Sequence, residues 1–373
     1  MALDLRETLR PVTIAGRPLP LVGRARIYAC GVTPYDVTHL GHAATTVWVD
    51  VVVRLLRRLG TDAELCRNVT DVDQHLFAAA RRAGAEYDRF AAVQQYYFDR
   101  DLAALGVTPP THEPRARTHI REVIALAAGL VDRGAAYVRD GTVYFRGAGV
   151  PDRAGLSHDE AIALLTEYDD EPGDPRKDDP LDVTVWQAAR PDEPAWPSPW
   201  GDGRPGWHAE CTAMVLSTFG PAIDLHAGGA DLRFPHHAYE AAQGEAITGV
   251  APFSRGWLHV GTVRLDGHKM AKSAGNLVLV SDLLHQHSAA AIRLLLLRRS
   301  WSQPWDYDPA ELEAAATALE ALYSGAGRGG DGAAEAAVLD ALRADLDVRR
   351  ALDIATDAGG AAARTLVEVL NLR

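Results

Sequence analysis

The sequence predicts an α/β fold built on a parallel sheet, with an inserted subdomain and a C-terminal helical bundle. Three observations predict it. Strand-like segments alternate with helical stretches between residues 25 and 105, and the alternation resumes between 206 and 265, as a parallel sheet with crossover helices requires. A stretch rich in Pro and Asp, from Thr108 to Pro205, separates the two. From Asp308 onward the chain is rich in alanine and leucine at helical spacing.

The first unit reads strand, glycine-bearing turn, helix: Arg26-Ile-Tyr-Ala-Cys30, the polar segment Gly31 to Gly41, and the apolar stretch Ala43 to Leu59. A second strand, Ala63 to Val69, runs into Asn68-Val-Thr-Asp-Val-Asp73, and one long helical region is expected from Gln74 to about Leu105. The insertion carries a hairpin pattern from Ala135 to Phe145 and an acidic loop from Asp169 to Asp182. The α/β pattern returns at Gly206 to Phe219, Ile223 to Phe234 and Trp257 to Leu265. Ser324 to Gly332 is a glycine-rich break between helices. The expected division is therefore 1–107 and 206–300 for the two halves of the α/β domain, 108–205 for the insertion, and 301–373 for the helical domain.

A chain of 373 residues that is 47% hydrophobic and 24% charged has enough apolar material for two or three domains. No signal-peptide pattern opens it, and no segment reaches the roughly 18 apolar residues of a membrane span, so a cytoplasmic protein without a membrane partner is expected. Cys30, Cys66 and Cys211 are odd in number and far apart, which argues against a disulfide framework and leaves metal binding or plain burial. A formal net charge of −12 repels polyanions, so contact with a nucleic acid would need a local basic patch.

Three groups of residues have the types that carry chemistry. His236 and Glu240, at i and i+4 after a proline suited to a first helical turn, share a helix face and can close on one ion, with thiolates from Cys30 and Cys211. Two buried free cysteines and a helix-starting histidine pair satisfy the same pattern. His39-Leu-Gly-His42 opens the first long helix, where free backbone N–H groups bind anions and Gly41 permits close approach of a nucleotide; helix capping is the plainer reading. Lys269-Met-Ala-Lys-Ser273 lies in a glycine-flanked loop, where two lysines can hold a leaving pyrophosphate or be a solvated surface.

Taken together and in this order, the motifs resemble the cysteinyl-tRNA synthetase family of class I synthetases. The resemblance runs from about Arg26 through Asp308 and implies a Rossmann-like parallel sheet. His39-Leu-Gly-His42 is similar to the family's first nucleotide motif and Lys269-Met-Ala-Lys-Ser273 to its second, with alanine in place of serine. Gly206-Trp-His-Ala-Glu-Cys211 and Phe234-Pro-His-His237 match its zinc- and cysteine-binding segments. Within the family the wording is closer to the mycothiol cysteine ligases at Cys30-Gly-Val-Thr-Pro-Tyr-Asp36, Gly41-His-Ala-Ala-Thr45, Asp266-Gly-His-Lys-Met270 and Gly275-Asn-Leu-Val-Leu-Val-Ser281. About 100 residues follow the lysine loop, which accords with a helical bundle and no anticodon-binding extension. Glu240 departs from this: it is synthetase-like, where the ligases carry a small hydroxyl residue.

The resemblance implies an AMP-forming ligase that activates L-cysteine with ATP and passes it to a small amine such as glucosaminyl-inositol, with tRNA not expected as acceptor. It implies one Zn2+ per chain on Cys30, Cys211, His236 and Glu240, with Mg2+ accompanying ATP. Gly31, Thr33 and Thr70 are expected to contact the amino acid, with Trp207 walling its pocket. Gly41, Thr45, Asn68, Val69, Gly229, Asp231 and Val263 are expected to line the adenylate, with Asp231 suited to ribose hydroxyls. His39, His42, Lys269 and Lys272 are the expected catalytic groups, acting on the phosphates.

Overall fold

The computed structural model describes residues 10–35, 37–270, 274–330 and 332–373. Strand β1 (Ala25–Val32) turns into helix α1 (Leu40–Arg58), and β2 (Ala63–Val69) follows, parallel to β1 with Ile27 opposite Leu65. Trp48, Val51, Val52 and Leu55 of α1 are all buried, because the helix lies between the sheet and helices of the C-terminal region. The helical region expected from Gln74 to about Leu105 consists of two helices, α2 (Gln74–Arg82) and α3 (Tyr87–Ala104). Gly84, at φ +64°, adopts the left-handed conformation that ends a helix. Asp73 starts α2 by accepting from the N–H groups of His75 and Leu76.

Between β2 and the next parallel strand lie α4 (Ile120–Asp132), β3 (Ala136–Arg139), β4 (Thr142–Phe145), α5 (His158–Glu167), β5 (Val183–Ala188) and β6 (Gly203–Pro205). The four strands form an antiparallel sheet in the order β3-β4-β5-β6. The hairpin joining β3 to β4 turns at Asp140 and Gly141, whose φ values of 48° and 76° are those of the tight turn that matches strand twist.

The chain then returns through α6 (Trp207–Phe219), β7 (Leu225–Gly229), α7 (Ala238–Thr248) and β8 (Trp257–Val260). Pro235 does not open α7 as expected. Residues Arg233–His237 form an irregular turn, and the α-helix begins at Ala238. The segment Trp257 to Leu265, where the α/β pattern returns, holds two strands: β9 (Val263–Leu265) leaves the main sheet and pairs with β10 (His268–Lys269) and, further along, β11 (Trp305–Asp306). Helices α8 (Val280–Leu284), α9 (Ala289–Leu297), α10 (Pro309–Ala326), α11 (Gly332–Arg343), α12 (Val348–Ala358) and α13 (Gly360–Leu370) complete the fold.

The main sheet has the order β8-β7-β1-β2, all parallel, so the carboxyl ends of its strands share one edge. One core fills the side of this sheet that carries α1, α9 and the C-terminal helices, with Val47, Leu295 and Leu366 fully buried. A second joins Tyr28 to α4, α6, α7 and the antiparallel sheet through Val143, Trp186 and Met214. In this second core α6 packs with the strands of the antiparallel sheet that precede it in the chain. Asp50 of α1 and Arg293 of α9, each 1% exposed, form an ion pair of 2.7 Å, and Arg293 also donates to the carbonyls of Leu105 and Leu370. Among the described residues no helix is long and apolar enough to cross a membrane.

Candidate active site

A cavity of about 740 Å³ opens at the carboxyl ends of the parallel strands, the place where open α/β sheets bind ligands. Of the described residues expected at the site, only Val69 and Glu240 are not on its wall. Val69 is buried, its N–H donating to the Pro114 carbonyl, and Glu240 lies behind the wall against His236. Lys272 lies outside the described residues.

The wall begins where β1 departs from regular pairing between Ala29 and Val32. Gly31 presses onto the neighbouring strand: its N–H donates to Asn68 Oδ1 at 2.8 Å, and a Cβ there would fall 1.8 Å from the Asn68 carbonyl oxygen. No larger residue fits. Asn68 in turn donates from Nδ2 to Cys211 Sγ at 3.0 Å, linking β2 to α6. Thr33 and Thr70 meet through their hydroxyls at 2.7 Å. Trp207, at the start of α6, stacks on His236 with centroids 4.1 Å apart and planes at 18°.

Beside these residues, donor atoms of Cys30, Cys211, His236 and Glu240 all lie within 4.8 Å of one another. Burial pushes the Cys30 thiol well up and the Glu240 carboxyl to about 8, so both keep their protons at pH 7 unless a cation draws them into the anionic form. Burial also pushes Cys211 up, but its hydrogen bond with Cys30 and the nearby His236 outweigh this and bring it to about 7. Two sulfurs, an imidazole nitrogen and a carboxylate oxygen form a donor set that suits zinc.

The sequence reading missed what supports His236. Its Nε2 is 2.8 Å from Glu240 Oε1, while its Nδ1 is 2.9 Å from His208 Nδ1, and His208 Nε2 is 3.0 Å from Asp170 Oδ2. One arrangement of protons satisfies all three groups: His236 donates from Nδ1, His208 accepts there and donates from Nε2 to the carboxylate. The His236 Nε2 lone pair is then free for a metal. Cys30, His226, His237 and Glu240 form a second close set, but His226 and His237 do not reach the cavity wall. His226 sits inside β7 with no local signal, and Asp170 lies in a loop where it is one acid among several.

On the other side of the cavity His39 caps α1, its Nδ1 accepting from Gly41 N–H at 3.1 Å, and its ring lies 3.9 Å from that of His42. Loss of solvent lowers His42 to about 4, so it is neutral at pH 7. Thr45 Oγ1 donates to the Gly41 carbonyl at 3.4 Å. Gly229 ends β7, Asp231 follows it, and Val263, the buried first residue of β9, lines the cavity with them. Lys269 Nζ lies 2.7 Å from Asp231 Oδ2. Burial pulls Lys269 down, but the Asp231 carboxylate more than offsets this and raises it to about 12.

Comparison with known proteins accords with this geometry. The family model described as "tRNA synthetases class I (C) catalytic domain" matches residues 20–317. The chain is 47% identical over 309 residues to "Cysteine--tRNA ligase" of Alkalilimnicola ehrlichii, covering 81% of this chain and 65% of that protein, so it spans about two thirds of that relative's length. It is 43% identical over 357 residues to "L-cysteine:1D-myo-inositol 2-amino-2-deoxy-alpha-D-glucopyranoside ligase" of Parafrankia sp., covering 93% of this chain and 80% of that protein. Mycobacterium tuberculosis methionyl-tRNA synthetase in complex with methionyl-adenylate shares the fold with a TM-score of 0.66 at 18% identity, covering 94% of this chain and 82% of that one. With the family model matching most of the chain and these relatives 43% and 47% identical to it, the protein belongs to the family of class I (C) tRNA synthetase catalytic domains.

Proposed function

We propose that the protein is an AMP-forming cysteine ligase that makes cysteinyl-adenylate from L-cysteine and ATP and transfers the cysteinyl group to the amine of a glucosaminyl-inositol. The observation that carries the activation step is one cavity holding the Cys30, Cys211 and His236 donors on one wall and the capped α1 N-terminus with Lys269 on another. Zinc on Cys30, Cys211, His236 and Glu240 supplies a soft Lewis-acid site that favours a thiol over a hydroxyl.

The chain's own residues do the rest. Trp207 walls the cysteine pocket, and the paired hydroxyls of Thr33 and Thr70 line the same cavity and can meet the amino acid's polar groups. Asp231 accepts from ribose hydroxyls. A cysteine carboxylate oxygen attacks the α-phosphorus of Mg2+-bound ATP, and the bond to the bridging oxygen of pyrophosphate breaks. Neutral His42 and the N–H groups of α1 donate to the charge that builds on the phosphate oxygens, while Lys269, joined by Lys272, draws off pyrophosphate. The acceptor amine, deprotonated, then attacks the carbonyl carbon and AMP leaves with the bonding pair.

Two observations support an amine acceptor. The cavity wall carries Asp73, Glu167, Asp169, Asp170, Glu171 and Asp231 against four basic side chains among the described residues. Each of the four is already paired: Arg67 with Asp99 and Glu113, Arg190 with Glu171, Arg204 with Glu193, and Lys269 with Asp231. Such a wall favours a cationic, hydroxyl-rich molecule over an RNA backbone, which needs unpaired positive charge. The alignment with the Parafrankia amine ligase also extends over 357 residues, against 309 for the A. ehrlichii relative. The test mixes the protein, ATP and labelled cysteine with glucosaminyl-inositol or with deacylated tRNA. Amide formation on the sugar without tRNA charging is expected; tRNA charging without amide formation contradicts the acceptor.

A further inference from the structure

Tyr168 follows α5 in the inserted region, and none of the motifs above contains it. Its partly buried ring lies on the cavity wall between two groups that the proposed reaction uses. On one side its plane is 27° from that of Trp207, with centroids 6.1 Å apart, and Trp207 stacks on His236. On the other, Lys269 Nζ is 3.5 Å from the phenolic oxygen and 5.6 Å from the ring centroid, within reach of a weak hydrogen bond and a cation–π contact.

We propose that Tyr168 is a positioning residue that holds the Lys269 ammonium over the nucleotide side of the cavity and fixes it relative to the Trp207 wall of the amino-acid pocket. The inference rests on the functional reading above. Lys269 has a strong partner in Asp231 at 2.7 Å and a weaker one in Tyr168. Ribose hydroxyls bound at Asp231 compete for the carboxylate that holds the ammonium. A lysine released from that firm partner regains the freedom of a four-carbon stem and must be ordered again when pyrophosphate departs. Tyr168 limits that freedom, because its ring stacks with Trp207 and its hydroxyl end lies within reach of the ammonium. The same contact connects the two substrates, since the ring that steadies Lys269 rests on the side chain that walls the cysteine pocket.

The test compares Tyr168→Phe and Tyr168→Ala with the parent, each also in a Lys269→Ala background. Cysteine-dependent ATP–pyrophosphate exchange and the affinity for a non-hydrolysable cysteinyl-sulfamoyl adenosine are both measured. The Phe variant retains the stack and loses the hydroxyl. Its kcat should fall about threefold and that of the Ala variant about tenfold, with the KM for cysteine nearly unchanged in Tyr168→Phe. Both losses should vanish in the Lys269→Ala background, because the tyrosine then has nothing to position. The adenylate analogue contains no pyrophosphate, so Tyr168→Phe should bind it as the parent does. Parental kcat in both Tyr168 variants, or losses of the same size with and without Lys269, would overturn the proposal while leaving the functional reading intact. Failure of the parent to bind the analogue and to catalyse exchange would overturn the functional reading and the proposal with it.

Discussion

His208 meets His236 through their Nδ1 atoms at 2.9 Å, and the contact fixes which nitrogen of His236 faces the Cys30–Cys211 pair. Removing His208 leaves the ligand ring free to turn and deprives it of its acceptor. His208→Ala should therefore retain zinc with affinity about 10- to 100-fold weaker, measured by chelator competition. Cys211→Ala and His236→Ala should lose the single tightly bound zinc, whereas Glu240→Ala should weaken retention without abolishing it, since the carboxylate is the hardest donor of the set. Full zinc content after Cys211→Ala would remove the site as described.

Lys269→Ala should lower kcat for pyrophosphate exchange by about 100-fold, the size typical of one electrostatic group that acts mainly in the transition state. The KM for cysteine should change little, because the ammonium faces Asp231 on the nucleotide side. An exchange rate equal to the parent's would demote the loop to surface.

Much of the site was legible because class-specific motifs cluster at strand ends and helix starts: Cys30 and Gly31 at the end of β1, His39 and His42 at the start of α1, Cys211 in the first turns of α6. Local rules place these residues at turns and helix starts, and the family resemblance supplies their expected roles. His208, His226 and Asp170 were not legible, since their roles arise from contacts across 28, 14 and 38 residues, to His236 for the first, to Glu240 for the second, and from Asp170 back to His208. The break inside the helical region that starts at Gln74 was not legible; it falls at Gly84, whose positive φ ends α2. Pro235 was read as a helix start from its type, and the chain instead turns once more to bring His236 beneath Trp207.

His42 should give no acid limb to activity near neutrality. Its imidazole is lowered to about 4 by loss of solvent, so the neutral form persists down through the pH at which an exposed histidine would charge. The profile of kcat/KM for ATP, which reports the free enzyme, should show no inflection from His42 between about pH 6 and 8. An inflection near pH 6.5 that disappears in His42→Gln would contradict this.

The Asp50–Arg293 pair should be a determinant of stability. Burial pushes the Asp50 carboxyl up, but the charges of Arg293 and Arg54 and the Thr108 N–H outweigh it, holding the group below its ordinary range. A carboxyl depressed in the folded state stabilises the protein above its unfolded pKa, and that contribution is lost as pH falls through the folded value. Asp50→Ala should cost about 3–5 kcal/mol, because it strands Arg293 at 1% exposure, and should remove the corresponding part of acid sensitivity below about pH 4. Denaturant titrations at neutral and acid pH measure both; an unchanged midpoint would show that Arg293 finds another partner.

The central claim is that one cavity activates cysteine and selects it through a thiol-binding site. ATP–pyrophosphate exchange with cysteine, serine and alanine in parallel tests it most directly. Robust exchange with cysteine and discrimination against serine of roughly 10⁴-fold or more are expected, since a site built around a thiol leaves its donors unsatisfied when the thiol is missing. Comparable exchange with serine or alanine, or none with cysteine in zinc-replete protein, would contradict it.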